Sequence, residues 1–233
     1  MSKRFPWIFS ILWLAVLVVM LWAGFWQLGR AEEKNEINQR MVDGYHHMPT
    51  SLNDWQQLKA FDQVGVVGEF AKTHLLLDNQ IIEGQVGYFV FTAFETEQGL
   101  WLLINRGWHA GETAKLDVTS ERIQIKGLVG DWPRPGIQLG EQAVMDQAVQ
   151  HVTYLPQEQV FSMLKTRLCQ QVADNKCIIL PVVLKLSPEA EFGYIRKWSL
   201  PRMTAEKHQA YAIQWFTMSL VLCLVYAIFL KKL

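Results

Sequence analysis

A chain of 233 residues with a formal net charge of zero is long enough for one sizeable core. It lacks the clustered Lys and Arg that would neutralise a phosphate backbone, so it offers nothing to a nucleic-acid partner. With only three cysteines, no C-x-x-C-H and no paired C-x-x-C, covalent haem attachment and cysteine-rich zinc or copper centres are excluded as well.

The first apolar run, Trp7 to Trp26, carries no charge and at about 20 residues matches the hydrocarbon thickness of a bilayer. It ends in Gly-Phe-Trp-Gln-Leu-Gly-Arg, which is bulky and polar where a signal-peptide cleavage site would be small, so it is expected to stay as an anchor over residues 7–27. The good helix formers of Gln27 to Met41 should carry the helix on out of the membrane, until residues 43–54 break it.

From Val64 the texture becomes that of strands. Val64–Phe70, Thr73–Leu77, Val86–Phe94, Leu100–Asn105, Arg122–Gly130, His151–Leu155 and Cys177–Leu186 are short, rich in β-branched and aromatic residues, and separated by Gly, Pro, Asn and Asp. One helix is predicted among them, Gln157 to Leu168, because Val160, Phe161, Leu164 and Leu168 repeat at helical spacing behind Pro156. Residues 131–140 are the most loop-like. Asn105-Arg106-Gly107-Trp108 is expected to end its strand at a turn, with Arg106 and Trp108 pointing outward or across. His46, His47 and His109 are placed in loops and given no metal. Cys169 and Cys177, eight apart, either bridge a small loop in an oxidising compartment or remain two thiols.

The second apolar run, Ala210 to Leu230, contains only polar side chains that a membrane helix tolerates. Two spans, 7–27 and 208–230, would bracket one β-rich domain over 28–204, giving a membrane protein of α+β class with both termini on one side of the bilayer. Lysines and arginines flank both ends of both spans, so charge counting does not orient it. The short basic start feeding an apolar run favours the termini inside and the middle domain outside.

A helix beginning near Ala205 places His208, Tyr211, Ala212, Trp215, Ser219, Leu222 and Tyr226 on one stripe. An imidazole at the mouth of the membrane beside aromatic faces and small residues suits a porphyrin: a neutral nitrogen for the iron and lipid for the apolar substituents. Interfacial aromatics and a helix-packing seam account for the same residues. On the first helix Gln27, Arg30 and Lys34 share a face at about the same level, where they could pair with haem propionates or snorkel to lipid phosphates. No nucleophile elbow, H-E-x-x-H, phosphate loop or dinucleotide fingerprint is present, and no enzyme is expected.

Trp26-Gln27-x-x-Arg30-x-x-x-Lys34 after the first span, Asn105 to Trp108 in the β-rich middle, and His208-x-x-Tyr211-Ala212-x-x-Trp215 opening the last span together resemble, in order along the whole chain, the Surfeit-locus-one family of cytochrome oxidase assembly factors. The resemblance implies cytoplasmic termini in a bacterial inner membrane and a periplasmic middle domain. It also implies an assembly factor for a haem-copper oxidase of the cytochrome c type, which transiently binds haem a, with His208 on the iron, and aids its delivery to the catalytic subunit alongside the haem a synthesis machinery. Tyr211 and Trp215 of the same motif, and Arg30 from its place on the first helix and not from the resemblance, complete the expected site. The rival class is a scaffold with no cofactor that holds oxidase subunits together in the bilayer, and a tethered enzyme ranks third.

Overall fold

The computed structural model describes residues 7–42, 46–111, 116, 118–119, 121–133, 147–170, 177–198 and 203–232. Most of the loop-like segment 131–140 lies outside these residues, as do Lys3, Arg4 and Arg202. The elements in chain order are α1 (Trp7–Val42), β1 (His46–His47), α2 (Leu52–Gln57), β2 (Gln63–Ile82), β3 (Gln85–Thr96), β4 (Leu100–Ala110), β5 (Ile123–Gly130), β6 (Val149–Val152), α3 (Gln157–Leu168), β7 (Ile178–Leu186) and α4 (Ala205–Lys232). They divide into two compact units: residues 1–39 with 199–233, and residues 40–198. The helical unit thus takes in a stretch of α1 beyond the apolar run. At about 1.5 Å per residue, α1 is about 54 Å long, against about 30 Å of hydrocarbon.

In residues 40–198 the strands form one sheet in the order β1-β2-β3-β4-β7-β5, and β5 pairs back onto β2. The ring β2-β3-β4-β7-β5 is therefore closed, which removes the exposed edges a sheet of this length would carry. Its interior is filled by Val64, Val66, Phe70, Phe94, Leu102, Ile104, Ile125, Leu180 and Leu184. A second apolar cluster, with Leu75, Phe91, Trp101, Leu103 and Val183, is covered by Val160, Met163 and Leu164 of α3. β4 contributes Leu100, Leu102 and Ile104 to the first cluster and Trp101 and Leu103 to the second. That two-sided burial is why its sequence is an unbroken apolar run and not an alternation.

Two segments expected as separate strands, Val64–Phe70 and Thr73–Leu77, are one strand. The pairing of β2 with β3 slips between Phe70 and His74 and again between Leu77 and Gln80. The second slip contains Asn79 at φ +59°, a conformation Asn tolerates well. Bulges bend a strand without ending it, so the N-terminal half of β2 closes the ring with β5 while His74–Leu77 also pairs with β6. Pro181, exposed on β7, lies where the β4–β7 register shifts and no ladder donor is needed.

The helix expected at Gln157–Leu168 is α3. Its C-cap, Cys169, is disulfide-bonded to Cys177, at a Cα–Cα distance of 5.8 Å, which fastens the end of α3 to the start of β7.

Asn105 to Trp108 does not end its strand. β4 continues to Ala110, so His109 lies in a strand and not a loop, and of the two placements expected for Arg106 and Trp108, outward or across, burial excludes the outward one. The reason is a late segment of chain that packs over them. Trp108 and Ile195 exchange both backbone hydrogen bonds, at 2.8 and 3.0 Å, and Tyr194 N donates to Arg106 O at 2.9 Å. Gly107, at φ +115°, lets this segment approach: a Cβ there would meet Ile195 O at 2.8 Å. The segment is in turn held by Arg196, whose guanidinium donates to the carbonyls of Pro188, Ala190, Phe192 and Tyr194.

The Arg106 guanidinium lies over the rings of Phe70 and Tyr194, 5.6 and 5.2 Å from their centroids. His74, buried beside Thr92 with Nδ1 3.0 Å from its hydroxyl, is pushed down to about 4 by burial and by the Arg106 charge. These groups make a polar layer between the ring interior and a smaller cluster of Leu76, Tyr88 and Val90.

His74 titrates lower in the folded chain than its ordinary value of 6.5, so the unfolded chain binds the extra proton first as pH falls. Its stabilising contribution is complete above pH 6.5 and is lost between there and about 4, by up to about 3 kcal/mol. Thermal unfolding of the detergent-solubilised chain should show this acid loss, and His74→Leu should remove that part of it. Gly107→Ala is expected to destabilise residues 40–198 by at least about 2 kcal/mol, read as a lower Tm of their near-ultraviolet circular dichroism.

Candidate functional site

The helical unit is an antiparallel pair. On α1, Ser10, Trp13, Leu17, Met20, Gly24, Gln27 and Ala31 recur at alternating steps of three and four and are buried or half-buried, as are Ala205, His208, Ala212, Trp215, Ser219, Leu222, Tyr226 and Phe229 on α4. This 3.5-residue period is that of a left-handed coiled coil, in which each helix keeps one stripe toward the other.

The seam holds small and polar side chains where a soluble pair would hold leucines. Gly24 admits the ring of Phe216, which a Cβ would meet at 2.7 Å. Trp13 stacks on Tyr226 with centroids 4.2 Å apart and donates its indole N–H to Leu222 O at 3.2 Å. Tyr226 donates its hydroxyl proton to Ser10 Oγ at 2.6 Å, and Ser219 donates to Trp215 O one turn back. In hydrocarbon, water cannot satisfy these groups, so each is partnered within the pair.

His208 sits at the end of this seam, in the first turn of α4. It is 5 % exposed, and its Nδ1 lies 2.7 Å from Gln27 Oε1 on α1. An amide oxygen can only accept, so with Oε1 facing the ring Nδ1 carries the proton and Nε2 the lone pair. Among the described residues Nε2 takes no hydrogen bond, yet it is not sealed from solvent. One imidazole nitrogen is therefore fixed by the partner helix and the other is chemically available to a metal.

The remaining candidates divide. Trp215 lies on the same seam as His208, half-buried. Tyr211 does not: it is 45 % exposed and leaves the stripe on which it was expected, because a three-four alternation from His208 runs through Ala212, and position 211 lies on the flank of that seam. Arg30 pairs with Glu33 one turn along its own helix at 2.5 Å, with both side chains partly in solvent. Gln27, whose face with Arg30 and Lys34 could serve haem propionates or snorkel to lipid phosphates, turns instead to His208. A partial signal was present: Ser10 and Gln27 on α1, and His208, Ser219 and Tyr226 on α4, recur at heptad positions, while Tyr211, Gln214 and Thr217 do not and are exposed. Among the described residues no three His, Cys, Asp or Glu side chains converge on a metal position.

Ser10 and Tyr226 offer a test of the seam. In a double-mutant cycle of Ser10→Ala and Tyr226→Phe, followed by unfolding in detergent micelles, the coupling should be about 0.6 kcal/mol and at most about 1.7 kcal/mol, as for interhelical hydrogen bonds in membranes.

Comparison with known proteins places this architecture. The chain is similar to a SURF1-like protein of Rickettsia felis, with 19% identity over 94% of this chain and 95% of the relative. It is also similar to one of Rickettsia prowazekii, with 21% identity over 94% and 88%, and to one of Rickettsia bellii, with 23% identity over half of each chain. The profile of the SURF1 family matches residues 14–220, from within α1 to within α4 and across the whole β-rich domain, so the chain belongs to the SURF1 family, a family of oxidase assembly factors.

Proposed function

We propose that this protein is a membrane-anchored assembly factor for a haem-copper oxidase that binds haem a at the mouth of the bilayer and aids its delivery to the oxidase catalytic subunit, receiving it from the haem a synthesis machinery. The observation that carries the proposal is the His208–Gln27 pair. Metal-binding histidines characteristically donate their second ring nitrogen to an oxygen acceptor, and here that acceptor is supplied from the other span at 2.7 Å.

The residues present fit a haem held through one imidazole. His208 would hold the iron, Trp215 and the exposed Tyr211 would offer aromatic faces, and Arg30, 41 % exposed at its side chain, is close along α1 to Gln27 for a carboxylate. Bound haem a would supply the redox centre that the oxidase requires. The chain itself orients His208 through Gln27 and presents the site beside lipid, where an apolar tail stays out of water. A single protein ligand suits a carrier that must release its cargo.

The disulfide between Cys169 and Cys177 supports a periplasmic domain, since such bonds persist in oxidising compartments. With α1 and α4 antiparallel across one inner membrane, both termini are then cytoplasmic.

A cofactor-free scaffold is the second reading, and the complete seam favours it: His208 already has a partner within the chain and packs as a seam residue. The absorption spectrum of the full-length protein, purified in detergent after co-expression with haem a synthesis enzymes, separates the two. Wild type should carry haem a, and His208→Ala and His208→Gln should lose it while remaining membrane-inserted. A colourless wild type, or variants with an unchanged haem spectrum, would make the scaffold the better account.

A further inference from the structure

The haem reading uses Gln27 only to orient the His208 ring and leaves open its effect on the ring's protons. Gln27 is the last seam residue of α1 with a hydrogen-bonding side chain before Ala31, and it stands immediately after the apolar run Trp7 to Trp26. An apolar side chain of the same length would fill the seam equally well. A polar one is tolerated at this depth because its carbonyl reaches His208 Nδ1.

We propose that Gln27 is a positioning residue that fixes the His208 tautomer. By accepting the proton of Nδ1 it locks the ring's rotation, keeps the lone pair on Nε2, and raises the basicity of that nitrogen toward a metal. The first span thereby controls the ligand carried by the second. The consequence for haem rests on the haem-binding reading above, whereas the tautomer does not, and the two are separately measurable.

The decisive contrast is with the reversed amide. If Gln27 presented its NH2 group to Nδ1, the lone pair would lie on Nδ1, the proton would cap Nε2, and His208 would be closed to iron. Long-range proton–nitrogen correlation spectra of the haem-free, full-length protein labelled with 15N-histidine distinguish these states, with the His208 signals identified by their loss in His208→Gln. Wild type should show a protonated Nδ1 and an unprotonated Nε2. Gln27→Met, which preserves side-chain length and removes the acceptor, should shift His208 away from that state, and Gln27→Glu, which can only accept, should keep Nδ1 protonated. A wild type with the proton on Nε2, or a His208 tautomer unchanged by Gln27→Met, would overturn the assignment.

With haem a bound, Gln27→Met should weaken binding by about tenfold to a hundredfold. The iron–histidine stretching frequency of the ferrous form should rise in the order Gln27→Met, wild type, Gln27→Glu. A loosened seam would not produce that ordering, and its absence in haem-loaded protein would count against Gln27. If wild type binds no haem yet shows the expected tautomers, the function proposed for the site fails and the control of His208 by Gln27 stands.

Discussion

A polar group inside the hydrocarbon of a bilayer must find its partner within the protein, because neither water nor lipid will supply one. That constraint organises the two terminal helices. Trp13, Ser10 and Tyr226 near one end, Ser219 in the middle and Gln27 with His208 at the other are each placed on the facing stripe and each hydrogen-bonded. Burying such groups at a helix–helix seam contributes little to association beyond packing. It does set the register, since a shift by one turn would leave several of them facing lipid unpaired. The geometry of His208 is a consequence of that register, which brings an amide oxygen from one span to the imidazole of the other.

The β-rich unit solves a different problem with similar means. A closed ring of strands has an interior too narrow for large charged groups, yet Arg106 is buried against it. Two aromatic rings face its guanidinium, and the depressed pKa of the neighbouring His74 avoids a second buried charge. The loop clamped by Arg196 and the disulfide after α3 then fasten distant parts of the chain around the ring. The motif Asn105 to Trp108, which looks like a surface turn, is the site where the last segment of the domain is sewn onto β4.

Much of this was legible beforehand. Twenty uncharged apolar residues are long enough to cross a bilayer, and the predicted α3 matched to the residue because a Pro start and an apolar i, i+3, i+4 pattern are local signals. The three motifs that suggested the family are also sequence features, and the family is the one that the chain matches. What failed failed for non-local reasons. The break predicted inside β2 is a bulge, which keeps pairing where the alternation lapses. The turn predicted at Gly107 is a strand, because the positive φ there serves the approach of Tyr194 and Ile195, some ninety residues later. Tyr211 was grouped with His208 because positions three and four apart share a broad helical face; only a partner helix narrows that face to a seam.

By itself, the sequence determined two terminal helices apolar enough to cross a membrane, the β-rich middle, the inserted helix and an imidazole near the start of the last helix, since each follows from composition or from spacing within one element. The tertiary structure alone decided which of the helix's polar residues face inward, that Cys169 reaches Cys177, that Arg106 is buried, and that Gln27 meets His208. Those outcomes depend on which surfaces of separate elements meet. A helix specifies its own faces through its period, but the partner that each face acquires is set by the register in which two helices pack.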